Sequence, residues 1–255
     1  MKRMLLAAAL VITLISLSAA ADKQAPVLSR TGDPSMKAQV HKSNVKPQPP
    51  AACSPCLFYG GDLNPTDANA DGFTDENTLL ITGGSSTYGA INIPSGPNAN
   101  VTGLVFQVLA TAAFDPFTAT WDIRQGVSEG NGGTDVASGS GSVAVSATGR
   151  TAFGLYEYTV SLTFSTVTLV PGEYWFNLEP QCLNTLDGSC TVFRQFASNT
   201  TQETNAVNGG WQPDDMMFLN SGYFGATWAN WCDSTFGLNT SQCDWLSFGV
   251  IGELQ

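Results

Sequence analysis

Tyr156-Glu157-Tyr158-Thr159-Val160-Ser161-Leu162-Thr163-Phe164 places a large apolar or aromatic side chain at every second residue. Successive side chains of an extended chain point to opposite faces, so this spacing turns one face of a strand toward a core. Outward from it, short apolar runs alternate with turn-forming clusters. Leu79–Thr82, Ala90–Ile93, Val101–Leu109, Thr118–Arg124 and Val143–Ser146 precede it; Thr166–Leu169, Glu173–Leu178, Val192–Phe196, Met216–Leu219 and Leu246–Ile251 follow. Gly130-Asn131-Gly132-Gly133 and Gly139-Ser140-Gly141 read as breaks between strands. No stretch carries the 3.6-residue apolar stripe of an amphipathic helix. The expected fold over residues 57–255 is all-β: an antiparallel two-sheet β-sandwich, jelly-roll or immunoglobulin-like in its connections, stapled by disulfides.

The N-terminus has a different character. Lys2 and Arg3 precede an apolar run, Leu5 to Leu17, broken only by Thr13 and Ser16, and Ala19-Ala20-Ala21 supplies small residues for cleavage before Asp22. Residues 1–21 therefore read as a secretory signal peptide. The run is too short for a hydrocarbon core that needs about 20 apolar residues. The mature chain is expected outside the cytoplasm, periplasmic or extracellular, without membrane insertion. Residues 22–56 read as a disordered tether: Lys23, Arg30, Lys37, Lys42 and Lys46 outnumber Asp22 and Asp33, and Pro47-Gln48-Pro49-Pro50 favours an extended polyproline conformation.

From residue 51 onward three basic residues, Arg124, Arg150 and Arg194, face nineteen acidic ones, a net of −16 with no lysine. Such a surface repels phosphate backbones, which excludes nucleic acid as a partner, and it attracts divalent cations. The one histidine, His41, lies in the tether. Ser-His-Asp and Cys-His nucleophiles are thereby excluded from the domain, and any catalysis has to rest on carboxylates.

Cys53, Cys56, Cys182, Cys190, Cys232 and Cys243 all lie in the exported part, and an even count there points to disulfides. Local spacing favours Cys182–Cys190 and Cys232–Cys243, which leaves Cys53 with Cys56; the alternative is an N-terminal cysteine pinned to a distant strand. Cys53-Ser54-Pro55-Cys56 has Cys-x-x-Cys spacing but no following helix, so redox catalysis is not expected.

Trp121-Asp122-Ile123-Arg124-Gln125-Gly126-Val127-Ser128-Glu129-Gly130-Asn131-Gly132-Gly133-Thr134 and Val170-Pro171-Gly172-Glu173-Tyr174-Trp175-Phe176-Asn177-Leu178 carry a family resemblance. They are similar to segments of exported bacterial proteins of the PEP-CTERM-associated type, over residues 57 to 180. The resemblance implies a secreted β-sandwich and brings no catalytic residues. The chain departs from sorted members in ending Phe248-Gly249-Val250-Ile251-Gly252-Glu253-Leu254-Gln255, without their sorting tail.

Three constellations are candidate sites. Asp67, Asn69, Asp71, the carbonyl of Phe73 and Asp75 follow the Asp-x-Asn-x-Asp-Gly-x-x-Asp start of a calcium loop, with Gly72 at the sharp turn and Thr78 where a bidentate Glu is usual. The same residues also suit an ion-free Asx turn. Trp211, Tyr223, Trp228 and Trp231, with Phe224, Trp245 and neighbouring carboxylates, form an aromatic C-terminal region that would hold a sugar if exposed and fill the core if not. Asp214, Asp215, Glu173 and Glu179 are the carboxylates available for glycoside hydrolysis, although adjacent Asp214 and Asp215 would face opposite ways on a strand. The expected function is a non-catalytic extracellular or envelope-surface protein with a structural or binding role and calcium as its only cofactor. A carbohydrate-binding module is the alternative, and a carboxylate hydrolase ranks third. The partner expected is a polysaccharide or another envelope component; self-association is left open. If the Asp67–Asp75 loop binds Ca²⁺, calorimetry of the mature chain will show a higher melting temperature in millimolar calcium than in chelator; equal temperatures would remove the ion.

Overall fold

A computed structural model describes residues 49–62, 78–80, 85–110, 112, 114, 116–152, 155–182, 196–200, 205–213, 217–221, 226–230 and 245–255. They form fourteen strands: β1 (Cys56–Tyr59), β2 (Thr78–Leu80), β3 (Ser85–Ile93), β4 (Ala99–Ala110), β5 (Pro116–Gln125), β6 (Thr134–Ser142), β7 (Ala144–Ala152), β8 (Leu155–Leu169), β9 (Gly172–Cys182), β10 (Phe196–Thr200), β11 (Met217–Ser221), β12 (Ala226–Asn230), β13 (Trp245–Leu246) and β14 (Phe248–Leu254). Two sheets result, one of eight strands and one of six, the latter in the order β12-β11-β3-β9-β5-β6.

The pairings reveal the connection. β1 pairs β14, β3 pairs β9, β4 pairs β8 and β5 pairs β6, all antiparallel. These four nested pairs are one long hairpin, and it is folded so that successive pairs fall alternately in the eight- and six-stranded sheets. That is the jelly-roll arrangement, and it decides between the two connections the sequence left open. β2, between β1 and β3, pairs β10, and two further insertions decorate the hairpin. β7 extends the larger sheet beyond β8, while β10 to β13 interrupt the path from β9 to β14. Within that second insertion β10 continues the edge of β4 beyond the end of β14, and β11 and β12 widen the smaller sheet.

The Tyr156–Phe164 alternation works as read: Val160 and Leu162 are buried core residues, with Tyr158 and Phe164 packed against that core. Tyr156, half exposed at 50%, is beyond its rim. Thr166–Leu169 is continuous with this strand, since both lie in β8. One of the expected breaks is instead part of a strand. Gly139-Ser140-Gly141 lies inside β6, because its glycines serve packing: a Cβ on Gly139 would stand 3.1 Å from the Trp121 ring, and one on Gly141 2.8 Å from Leu162.

Between the sheets, Phe248 is fully buried against Phe58, Phe106 and Phe176, with ring centroids 5.1, 5.4 and 6.1 Å away. Trp121 stacks on Phe164 at 3.8 Å. The domain begins earlier than residue 57. Cys53 and Cys56 form a disulfide, and Cys53 packs against Val105 and Ile251 on the larger sheet. This pairing is the one left to those two cysteines by the local spacing of the others. It fits an oxidising compartment outside the cytoplasm. Among the described residues no helix is long and apolar enough to cross a membrane.

The outer face of the larger sheet is closed by a ring of hydrogen bonds. Thr159 donates to Gln107 (2.9 Å), Gln107 to the Tyr59 hydroxyl (3.0 Å), and Tyr59 to Asp62 (2.6 Å). Arg150 donates to Asp62 (2.6 Å) and also to Glu157, which returns the ring to β8. Burial pushes the Glu157 carboxyl above its usual range, and the Arg150 guanidinium opposes that rise. A folded-state pKa above the unfolded one gives stability that is present at low pH and lost as pH rises. Arg150→Met leaves two carboxylates in place without their guanidinium, so we expect a loss of about 3–5 kcal/mol at neutral pH. The deficit should shrink below about pH 4, where Glu157 is neutral. Urea midpoints at the two pH values measure this, and a pH-independent deficit would contradict it.

Candidate functional site

The calcium-loop residues Asp67, Asn69, Asp71, Phe73 and Asp75 lie outside the described residues, as do Tyr223, Trp231, Asp214, Asp215, Cys190, Cys232 and Cys243. The side chain of Cys182, at the end of β9, does too. Trp211 closes a 3₁₀ turn, Gly209–Trp211, and packs against the main core. Trp228 lies on β12 in a separate cluster with Tyr88, Ala90, Val127, Trp175 and Phe218. The two described members of the aromatic set therefore serve different parts of the molecule. Among the described residues no group of three or more His, Cys, Asp or Glu is placed to hold a metal.

The second cluster marks the outer face of the six-stranded sheet. On β5 the core takes Ala119, Trp121 and Ile123, so Thr120, Asp122 and Arg124 face outward. On β9 it takes Tyr174, Phe176 and Leu178, leaving Trp175, Asn177 and Glu179 outward. Register then aligns them. Thr120 stands opposite Glu179 and Ser140, Asp122 opposite Asn177 and Ser138, and Trp175 opposite both Ala90 and Arg124. From β3, Ser86 donates to Glu179 (3.3 Å), and the Asn177 amide donates to the carbonyl of Thr87 (2.9 Å).

At the centre, Tyr88 reaches across β9 and donates to Asp122 Oδ2 at 3.1 Å, while Arg124 Nε donates to the same oxygen at 2.6 Å. Arg124 Nη1 donates to the carbonyl of Gly132 (2.8 Å), and its guanidinium carbon stands 4.9 Å from the centre of the Trp228 ring. Trp228 also packs on Tyr88, with centroids 4.7 Å apart. Its ring occupies the space over Gly132, where a Cβ would lie 2.4 Å from the indole.

Burial raises the Asp122 carboxyl, and the hydrogen bonds from Arg124 and Tyr88 pull it back. Burial also raises Glu179, with the charge of Asp122 adding to the rise and the Ser86 hydrogen bond opposing it. The Tyr88 phenol is pushed up, by burial first and then by Asp122. One donor is left over. Trp175 is 2% exposed, and its indole N–H has no acceptor among the described residues, a state that costs about 1–3 kcal/mol. This face can accept hydrogen bonds at carboxylates and exchange them at hydroxyls.

Sequence reasoning weighed Glu179 and passed over Tyr88, Asp122 and Arg124. The signal is in the alternation of Thr118–Arg124, which buries Trp121 and Ile123 and turns Asp122 and Arg124 to one outer face.

Tyr88→Phe removes a hydrogen bond to a charged partner, so we expect a loss of about 1.5–3 kcal/mol at pH 8. A phenol raised in the folded state contributes stability present below its unfolded value of about 10 and lost as pH rises past it. The gap between variant and wild type should therefore narrow by about pH 11 in urea titrations. A gap constant with pH would show that Tyr88 does not hold its proton.

No family model matches the chain, and no curated protein matches it.

Proposed function

We propose that this chain is a non-catalytic exported protein that acts by binding, outside the cell or at its envelope, through the outer face of the six-stranded sheet. The observation that carries this reading is the aligned row of Ser86, Glu179, Thr120 and Ser140, beside Asp122 and Ser138, on that face. A face that only needed solubility would carry freely solvated groups. This one holds a half-buried carboxylate and an ion pair in fixed positions, and on the same strand as that carboxylate the buried Trp175 indole N–H has no acceptor among the described residues. Hydroxyl-bearing envelope or extracellular polymers, polysaccharides above all, are the ligands such a lattice suits. The carbohydrate-binding alternative thereby moves from a C-terminal aromatic platform to the sheet. The likeness to exported PEP-CTERM-associated proteins belongs to the same reading.

Hydrolysis is the second reading, favoured by the charge of Asp122 acting on Glu179 of the neighbouring strand. Against it, both donors to Asp122 close on one oxygen and hold it as an ionised acceptor, which is a poor state for a general acid. The mature protein, incubated with a panel of polysaccharides, is expected to bind at least one and to release no reducing ends. Reducing ends that disappear in Glu179→Gln would replace binding with hydrolysis.

A further inference from the structure

β6 ends the six-stranded sheet, and β5 is its one strand neighbour among the described residues. Seven of its nine residues are exposed, and no backbone hydrogen bond reaches its outer edge among the described residues. An open edge of this length is a template for another strand, and edges that stay single are shielded by lysine, proline or inward-pointing charge. β6 has no lysine and no proline, and Asp135 is its single charge. Its one bulge is at Val136, which is skipped between the Ala137–Ile123 and Asp135–Arg124 pairings. From Ala137 to Ser142 the ladder is regular. That stretch, Ala137-Ser138-Gly139-Ser140-Gly141-Ser142, is uncharged and carries only small side chains.

The distribution of charge is an independent observation. From residue 51 onward the net is −16, yet residues 130–172, which hold β6, β7 and β8, contain only Asp135, Arg150 and Glu157. Arg150 and Glu157 are ion-paired, so this flank accounts for a net of −1. Copies of an anionic protein repel one another over most of their surfaces and least here. A strongly basic or acidic partner finds one charge to read on this edge. A neutral strand of small residues matches it, and the chain's own β6 is such a strand.

We propose that two copies pair through β6, antiparallel about a two-fold axis at Ser140. Ser138 then lies opposite Ser142 of the partner subunit and Gly139 opposite the partner's Gly141, while the two Asp135 carboxylates are held apart at opposite ends of the contact. The same edge is consumed on both copies, so the assembly closes at two. Two six-stranded sheets become one of twelve. The row Ser86, Glu179, Thr120 and Ser140 reaches the axis at Ser140 and runs on in reverse through the second copy. Each copy thus contributes half of one continuous outer face. The pairing itself is independent of any ligand.

Sedimentation equilibrium of the mature chain, from about 1 μM to about 500 μM, tests this. The expected result is a monomer–dimer equilibrium that tightens as salt rises to about 0.15 M, because screening weakens the repulsion between like-charged domains. Ser140→Lys and Ser140→Asp each set like charges against one another at the axis and should weaken the dimer about tenfold or more. An equimolar mixture of the two variants should recover it. Ser140 is exposed, so circular dichroism of both should match wild type. Thr163→Lys, an exposed change on β8, should leave the dimer as it is. A monomer at every concentration overturns the proposal, as does a dimer that salt dissociates. A dimer unmoved by either Ser140 variant takes the interface off β6, and a mixture that stays monomeric removes the axis at Ser140. Assemblies larger than two remove the closed pair.

Discussion

β4 has to be satisfied on every side at once. It lies between β8 and the edge shared by β14 and β10, and every residue from Gly103 to Ala110 is buried. Leu104, Phe106, Val108 and Ala110 join the core between the sheets, while Val105, Gln107 and Leu109 point the other way and are buried as well. A strand covered on both faces ordinarily carries apolar side chains throughout. Gln107 breaks that rule, and a buried amide without partners would destabilise the domain. Its oxygen accepts from Thr159 and its nitrogen donates to Tyr59. The covering of the larger sheet follows from this need: Tyr59 lies beside Gly249, where a Cβ would be 3.1 Å from the ring, and the chain onward from Tyr59 brings Asp62 to Arg150.

The two sheets therefore treat their outer faces differently. On the larger one, Arg150 joins carboxylates from two distant segments, and its partner Glu157 is wholly removed from water. On the smaller one, Arg124 joins Asp122 to the Gly132 carbonyl and to Trp228, while the strands beside it, β5 and β6, keep exposed hydroxyl side chains. Both positions ask one side chain to hold several groups in fixed directions. A planar guanidinium with five donors does this and an ammonium on a flexible stem does not, which fits a domain that keeps arginine and has no lysine.

Much of the fold was legible because burial on one face leaves a period of two. Tyr156–Phe164 and Val101–Leu109 fall within β8 and β4. β6 was not legible. Its residues are mostly exposed, and its inward positions are the small Ala137 and two glycines that admit Trp121 and Leu162 from other strands, so it carries no apolar alternation of its own. Glu157 was hidden for the opposite reason. The alternation assigns it to the outward face of β8, which solvent would ordinarily reach; its burial depends on Arg150, Thr148 and Asp62, brought there by tertiary contacts. The Asp122 site was half legible: its strand and its facing could be read, while its partners Tyr88 and Trp228 come from strands that only the jelly-roll path and its insertion bring near.

That insertion completes the smaller sheet's outer face. Trp228 has a φ of 46°, a left-handed conformation that costs a non-glycine residue about 1–3 kcal/mol. Several contacts hold it there. Its carbonyl accepts from Gly130 N at 3.0 Å, the Asn230 N–H donates to Glu129 at 2.8 Å, and its ring is enclosed by Tyr88, Arg124 and the bare backbone of Gly132. Gly130 and Gly132 belong to the turn between β5 and β6, the tip of the long hairpin that makes the fold. The strain is thus sustained by a junction between the innermost turn of the jelly roll and an insertion a hundred residues further on, |i−j| being 101 for the Asn230–Glu129 contact. A side chain at residue 132 would exclude the indole, and Arg124 would lose the aromatic face it lies against. Asp122 would then keep its guanidinium with one fewer restraint on where that guanidinium points. The arrangement of the central ion pair, and with it the rim of the exposed face, therefore depends on a glycine that touches neither carboxylate.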